Sequence, residues 1–234
     1  MICQMKSRTV RIILILIDME KKFELTDKFV FNTFGIKLFQ IKCTKSFKYA
    51  KEGDLGGYVE KDENLDQESD AWVFGNARVS GDARVYGDAQ VFGDARVSGD
   101  AWVYGDARVS GDAWVYGDAR VFGNARVSGD AWVYGDARVF GNARVYGDAR
   151  VSGDADIEND NNHCGFDCFG SCNRHTHAYL TKDNKVEITC GCFRGSIEEF
   201  EKKVEKTHSG TIYEKQYKAI INVIKIKFGL TDLI

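Results

Sequence analysis

Residues able to bind a metal or act as nucleophiles crowd the C-terminal third of this chain. His163, Cys164, Cys168, Cys172, His175 and His177 fall close together, and Cys190 and Cys192 follow. Thiolates and imidazoles at short spacing can hold Zn²⁺. Cys164, Cys168, Cys172, His175, His177, Cys190 and Cys192 therefore form a candidate structural zinc set. The spacing tells against it: Cys-x3-Cys-x3-Cys and Cys-x-Cys are not the paired Cys-x2-Cys of zinc knuckles, and unligated thiols are the preferred reading. Residue type alone also admits Cys190 or Cys192 as a nucleophile with His208 as its base, but no spacing rule joins them.

A second candidate depends on the repeat that fills the middle of the chain. From Ser69 to Glu158 the sequence runs in fifteen six-residue units, typically Gly-Asp/Asn-Ala-x-Val-Ser/Tyr/Phe, as in Gly81-Asp82-Ala83-Arg84-Val85-Tyr86. Alternate residues of a strand face opposite ways, so Ala and Val share an inner face while the fourth and sixth residues point outward. Glycine at nearly every corner and no room for a helix describe a parallel β-solenoid. Outward residues recur every third unit, and residues 105–122 repeat as 123–140 with Asp106 replaced by Asn124 as the single change. Three strands per coil make a triangular prism of about five coils, roughly 24 Å long at about 4.8 Å per coil.

Stacking every third unit places Trp114 over Trp132, with Tyr116 over Tyr134 beside them. The plain reading is cross-strand stacking that stabilises the prism. The functional reading is a strip that binds a glycan, a protein partner or another subunit. Columns of arginine would repel unless the neighbouring aspartates answer them. The acidic excess along the units excludes a nucleic-acid surface.

The repeat resembles the hexapeptide family of left-handed parallel β-helices, which includes many acyltransferases. Its handedness is implied by that resemblance, and the glycine here falls one residue later after the aliphatic position than is usual in the family. The lead-in Lys51-Glu52-Gly53-Asp54-Leu55-Gly56-Gly57-Tyr58-Val59 resembles a group of uncharacterised bacterial and phage hexapeptide-repeat proteins named as transferases on fold alone. Thr189-Cys190-Gly191-Cys192-Phe193-Arg194-Gly195-Ser196 resembles the tails of related phage-type proteins.

Flanking segments complete the expected layout. Residues 1–18 are read as an upstream or disordered extension, with Met19 as the native start: Ile12–Ile17 is too short to span a membrane. Residues 19–68 should form a small β cap, with strands at Phe23–Leu25 and Ile36–Ile41 around an Asn32–Gly35 turn. The Gly56-Gly57 pair should supply unusual backbone angles in an irregular first coil. After the polar run Asn159–Asn162, read as a linker, residues 159–234 should form an α+β module. Its parts are a hairpin about Lys182–Lys185 and two helices, opened by Ser196-x-x-Glu199 and Thr211-x-x-Glu214.

The fold class expected is thus mainly β. The seven cysteines are an odd count, which with no convincing secretory signal favours reduced thiols in a cytoplasm. No membrane or nucleic-acid partner is expected. From 69 to 158 there is no histidine and no lengthened unit, so the favoured reading is a non-catalytic scaffold or interaction protein without a cofactor. The alternative, carried by the resemblance, is a trimeric acyltransferase using coenzyme A at the subunit junction.

Overall fold

A computed structural model describes residues 21–230. The expectations for residues 1–18 lie outside them. Strands β1 (Phe23–Phe31), β2 (Lys37–Cys43) and β3 (Leu55–Val59) come first, followed by a 3-10 turn at Asp62–Asn64. Fifteen two-residue strands then run from β4 (Trp72–Val73) to β18 (Asp156–Ile157), each made of the fourth and fifth residues of one unit. The chain closes with β19 (His163–Phe169), β20 (Arg174–Leu180), β21 (Val186–Cys190), β22 (Phe193–Ser196), α1 (Ile197–His208) and α2 (Ile212–Lys227).

The fifteen short strands sort into three parallel columns of five, in the three-unit order that the sequence predicts. Trp72 pairs with Gln90, Arg78 with Arg96 and Arg84 with Trp102, and each column continues upward in the same register. The third-position alanines and fifth-position valines are essentially fully buried and fill the prism. Neighbouring coils are joined by backbone bonds such as Arg78 N–H to Ala95 O at 2.9 Å, Ser80 N–H to Val97 O at 3.0 Å and Asp88 N–H to Gly105 O at 2.9 Å.

An irregular coil precedes the regular ones, for about six turns in all. Tyr58 and Val59 pair in parallel with Arg78 and Val79, and Leu65 bridges to Val85. Gly56 and Gly57 are required here for space rather than for unusual angles. A Cβ at Gly56 would lie 2.6 Å from Ile41 Cγ1, and one at Gly57 would lie 2.6 Å from the Ala77 carbonyl. The β1–β2 hairpin extends one column beyond β3 into an eight-stranded sheet. Trp72, at a position that elsewhere faces water, is buried because Phe23 and Phe47 pack edge-on against it. Lys22 closes this end, its Nζ donating to the carbonyls of Ser69 (2.7 Å) and Ala71 (2.9 Å).

The far end carries a four-stranded antiparallel sheet, order β19-β20-β21-β22, with both helices on one face. It is larger than the single hairpin expected, because the Cys/His-rich stretch itself forms β19 and most of β20. Asn159–Asn162 is a tight turn rather than a linker, with Asn162 Oδ1 accepting from the backbone of Glu158 (3.2 Å) and Asn159 (3.1 Å). Both helix starts follow the sequence: Ser196 and Glu199 form a reciprocal capping box, and Thr211 accepts from the Glu214 amide. Among the described residues no helix is long and apolar enough to cross a membrane.

Two predictions follow from the packing of coils and cap. Gly111 has φ +68° and a Cβ there would lie 2.9 Å from the Gly129 nitrogen, whereas Gly147 (φ +65°) has nothing within 4 Å. Left-handed backbone alone costs an alanine about 1–2 kcal/mol, so Gly147→Ala should lose about that much. Gly111→Ala should lose about 3 kcal/mol once the coils are forced apart. Urea unfolding of the two variants checks this, and equal losses would show that coil spacing is not what the glycines protect. Burial pushes the Lys22 amine down to about 8. Between about pH 8 and 10.5 the unfolded chain then holds more protons than the native one, so Lys22 makes stability rise with pH across that window. Lys22→Met should flatten the rise; an unchanged slope in urea midpoints would refute the assignment.

Candidate functional site

The inter-coil ladder places like residues above one another, and the aromatic strip is its direct product. Trp114 and Trp132 stack with ring centres 5.2 Å apart and planes 7° off parallel. Tyr116 and Tyr134 stack beside them at 5.1 Å, with Tyr116 also edge-on to Trp132. Arg96 lies over Trp114 at 4.6 Å and Arg150 over Trp132 at 5.2 Å. The column is thus a closed ladder of cation, ring, ring, cation. Both faces of each indole are occupied within the column, which leaves mainly ring edges for any glycan; sugars stack on free ring faces.

The strip is not alone. At the next corner Tyr86, Tyr104, Phe122 and Phe140 form a longer stack with spacings of 4.8, 4.8 and 5.0 Å. Arg84 and Arg120 sandwich Trp102 at 5.9 and 5.3 Å, and Arg138 lies 5.0 Å from Phe140. Cation–π contact therefore takes much of the role assigned to aspartate. Among the described residues Arg138–Asp156, at 3.4 Å, is the one Arg–Asp ion pair along the prism.

Two concavities flank the tryptophans on the same face. Toward the start of the chain, the hairpin turn Asn32–Ile36 overhangs Arg78, Arg96, Ser98 and Trp114 and encloses about 180 Å³. Toward the far end, Asp130, Trp132, Asp148 and Arg150 face Arg174, Thr189 and Cys192 across a cavity of about 570 Å³.

In the terminal sheet, strand parity divides the cysteine and histidine set. His163 pairs with Tyr179 and Gly165 with His177, so these side chains and His175 look onto the last coil. Cys164 pairs with Ala178 and Thr176 with Cys190, which places Cys164 and Cys190 with the helices. Cys168, Cys172 and Cys192 are exposed, and all six described cysteines are free thiols. Burial raises the Cys164 thiol to about 11 and keeps it protonated. Cys190 contacts Thr176 Oγ1 at 3.3 Å and Tyr217 Oη at 3.9 Å, while His208 stacks on Tyr217. Among the described residues, as they stand, no three His, Cys, Asp or Glu side chains are placed to hold a metal ion together.

The face toward the coil is polar and tightly placed. Thr189 Oγ1 donates to the Arg150 carbonyl at 2.9 Å, and Tyr179 Oη donates to Glu187 Oε1 at 2.6 Å. His163 Nδ1 and His177 Nε2 meet at 3.0 Å. Burial lowers the pKa of both imidazoles, most strongly that of His177, so both are neutral at pH 7. The candidate zinc set read from the sequence leaves out His163, which the structure brings against His177.

Trp132→Ala should cost about 2 kcal/mol, since one ring–ring contact and one cation–π contact vanish together. Urea unfolding measures it, and a Trp132→Leu variant within a few tenths of wild type would mean the ladder contributes only area.

Comparison with known proteins agrees with the coil geometry. Residues 71–88, 89–105, 101–117, 119–135 and 143–155 match the model of the YdcK beta solenoid repeat. No curated protein matches the chain. The protein is a β-solenoid repeat protein whose coils are similar to the YdcK beta solenoid repeat.

Proposed function

We propose that this protein is a non-catalytic scaffold, a stiff solenoid that holds a β-hairpin at one end and an α+β module at the other. The observation that carries this reading is the uninterrupted column from β3 through Arg78, Arg96, Trp114, Trp132 and Arg150, with both end modules bonded directly to it. No unit between Ser69 and Glu158 is lengthened into a loop, and none contains histidine or cysteine. Outward rings and guanidinium groups are spent largely on one another. On this reading a partner engages the trough between hairpin and terminal module, where the two concavities lie, and a protein partner suits its mixed Asp and Arg lining better than a glycan does.

A left-handed coil suits either reading; a trimer belongs to the opposing one, in which subunits join along the prism and hold coenzyme A in the cleft between them. Light scattering on the full chain at micromolar concentration, under reducing conditions, separates the two. The scaffold reading expects a monomer that takes up no acetyl-coenzyme A in calorimetry. A stable trimer with saturable acetyl-coenzyme A binding would replace it with the transferase reading.

A further inference from the structure

Three of the four histidines of the chain meet where the terminal sheet sits on the last coil, in an arrangement that ordinary packing leaves unsatisfied. His177 is 1% exposed. The side chains of His163 and His175 are 8% and 9% exposed, and the Nε2 of each is buried without a hydrogen-bond partner. Their rings are neighbours of His177, with centroids 5.2 and 5.6 Å away. Gly165 makes the room. A Cβ there would lie 2.8 Å from His175 Nε2 and 3.7 Å from His177 Cδ2, so these two edges share the space above it. A cavity of about 290 Å³, lined also by Asp160, Asp167 and Tyr146, opens onto the three rings.

Each ring has an oxygen on its outer side. His175 Nδ1 is hydrogen-bonded to Asp167 Oδ1, and His177 Nδ1 lies 3.5 Å from the Arg150 carbonyl. With protons on those Nδ1 atoms, the Nε2 atoms of His175 and His177 are bare lone pairs directed inward. His163 then faces a conflict. Donating from Nδ1 to His177 leaves its own Nε2 lone pair 3.8 Å from the Asp160 carboxylate, where a proton is wanted instead.

We propose that His163, His175 and His177 bind one borderline divalent cation of the zinc class, through His163 Nδ1, His175 Nε2 and His177 Nε2. Binding removes the conflict: the ion replaces the shared proton between His163 and His177, and the His163 proton moves to Nε2 beside Asp160. Every ligand then has a second-shell oxygen, the usual companion of metal-bound imidazole. Two nitrogens on a tetrahedral zinc at about 2.0–2.1 Å stand about 3.3 Å apart, so the His163–His177 contact needs only a small opening. His175 must turn toward them, into the cavity. The remaining coordination position opens to that cavity. Cys164 also borders it, but the Cys164 and Cys190 side chains pack on the helix side of the sheet, so neither thiol joins the ligands.

The test uses the full chain, stripped with chelator and titrated with Zn²⁺ and, as a spectroscopic probe, Co²⁺. One ion per chain is expected, with cobalt d–d bands and no thiolate-to-cobalt charge-transfer band. His175→Gln should weaken binding at least tenfold and Asp167→Asn about tenfold, while Cys164→Ser leaves it unchanged. Both decisive variants lie at the cavity rim, so they decide the matter whether or not His177→Gln folds; circular dichroism confirms that each is native. Failure of the wild type to take up a stoichiometric ion overturns the proposal. So does a thiolate band, or binding that survives both His175→Gln and Asp167→Asn.

Discussion

One constraint governs this molecule: every coil must lie a single strand spacing above the last, along its whole perimeter. Straight segments meet it through backbone hydrogen bonds, and corners meet it through glycine in the left-handed region. The interior follows. Alanine and valine are what fit inside a three-sided coil whose walls cannot move apart, and each is repeated because the next coil presents the same space. The exterior follows as well, since a residue on one coil is held directly beneath its counterpart on the next.

That enforced superposition is favourable for rings and unfavourable for like charges, and the outer surface reflects both. Tyrosine, phenylalanine and tryptophan stack at the coil spacing, which is also a good distance for parallel aromatic planes. Five arginines are set over ring faces, as Arg84 and Arg120 are over Trp102, while Arg108, Arg126 and Arg144 follow one another in register along the third column. The aspartates sit at the corners, where two answer lysines of the lead-in segment: Lys48 reaches Asp88 and Lys61 reaches Asp82. The two ends solve a different problem. At the first, Phe23, Phe47 and Lys22 close over Trp72; at the last, a sheet with one apolar and one polar face closes over Ser152 and the Arg150 carbonyl.

The repeat, the three columns and their registers were legible because a period of six and a super-period of eighteen leave one stacking solution. Both helix starts were legible from their caps, and the two hairpins from their turns. What escaped depends on contacts distant in sequence. Trp72 occupies an outward position and is buried by residues far upstream. Gly56 and Gly57 look like residues chosen for backbone freedom, yet they make way for Ile41 and the Ala77 carbonyl. The density of cysteine and histidine hid an alternating strand pattern, so residue types suggested one cluster where parity makes two groups. His163 gains its meaning only from pairing opposite Tyr179.

The near-identity of residues 105–122 and 123–140 gives the prism the character of a ruler with fixed graduations. Gain or loss of one such block shifts the terminal module by one step of about 4.8 Å and leaves its facing unchanged, because every later residue returns to its own column. Gain or loss of a single six-residue unit would instead swing that module by a third of a turn and carry it off the face that the hairpin overhangs. Distance and direction between the two ends are thus separately adjustable, each in whole increments.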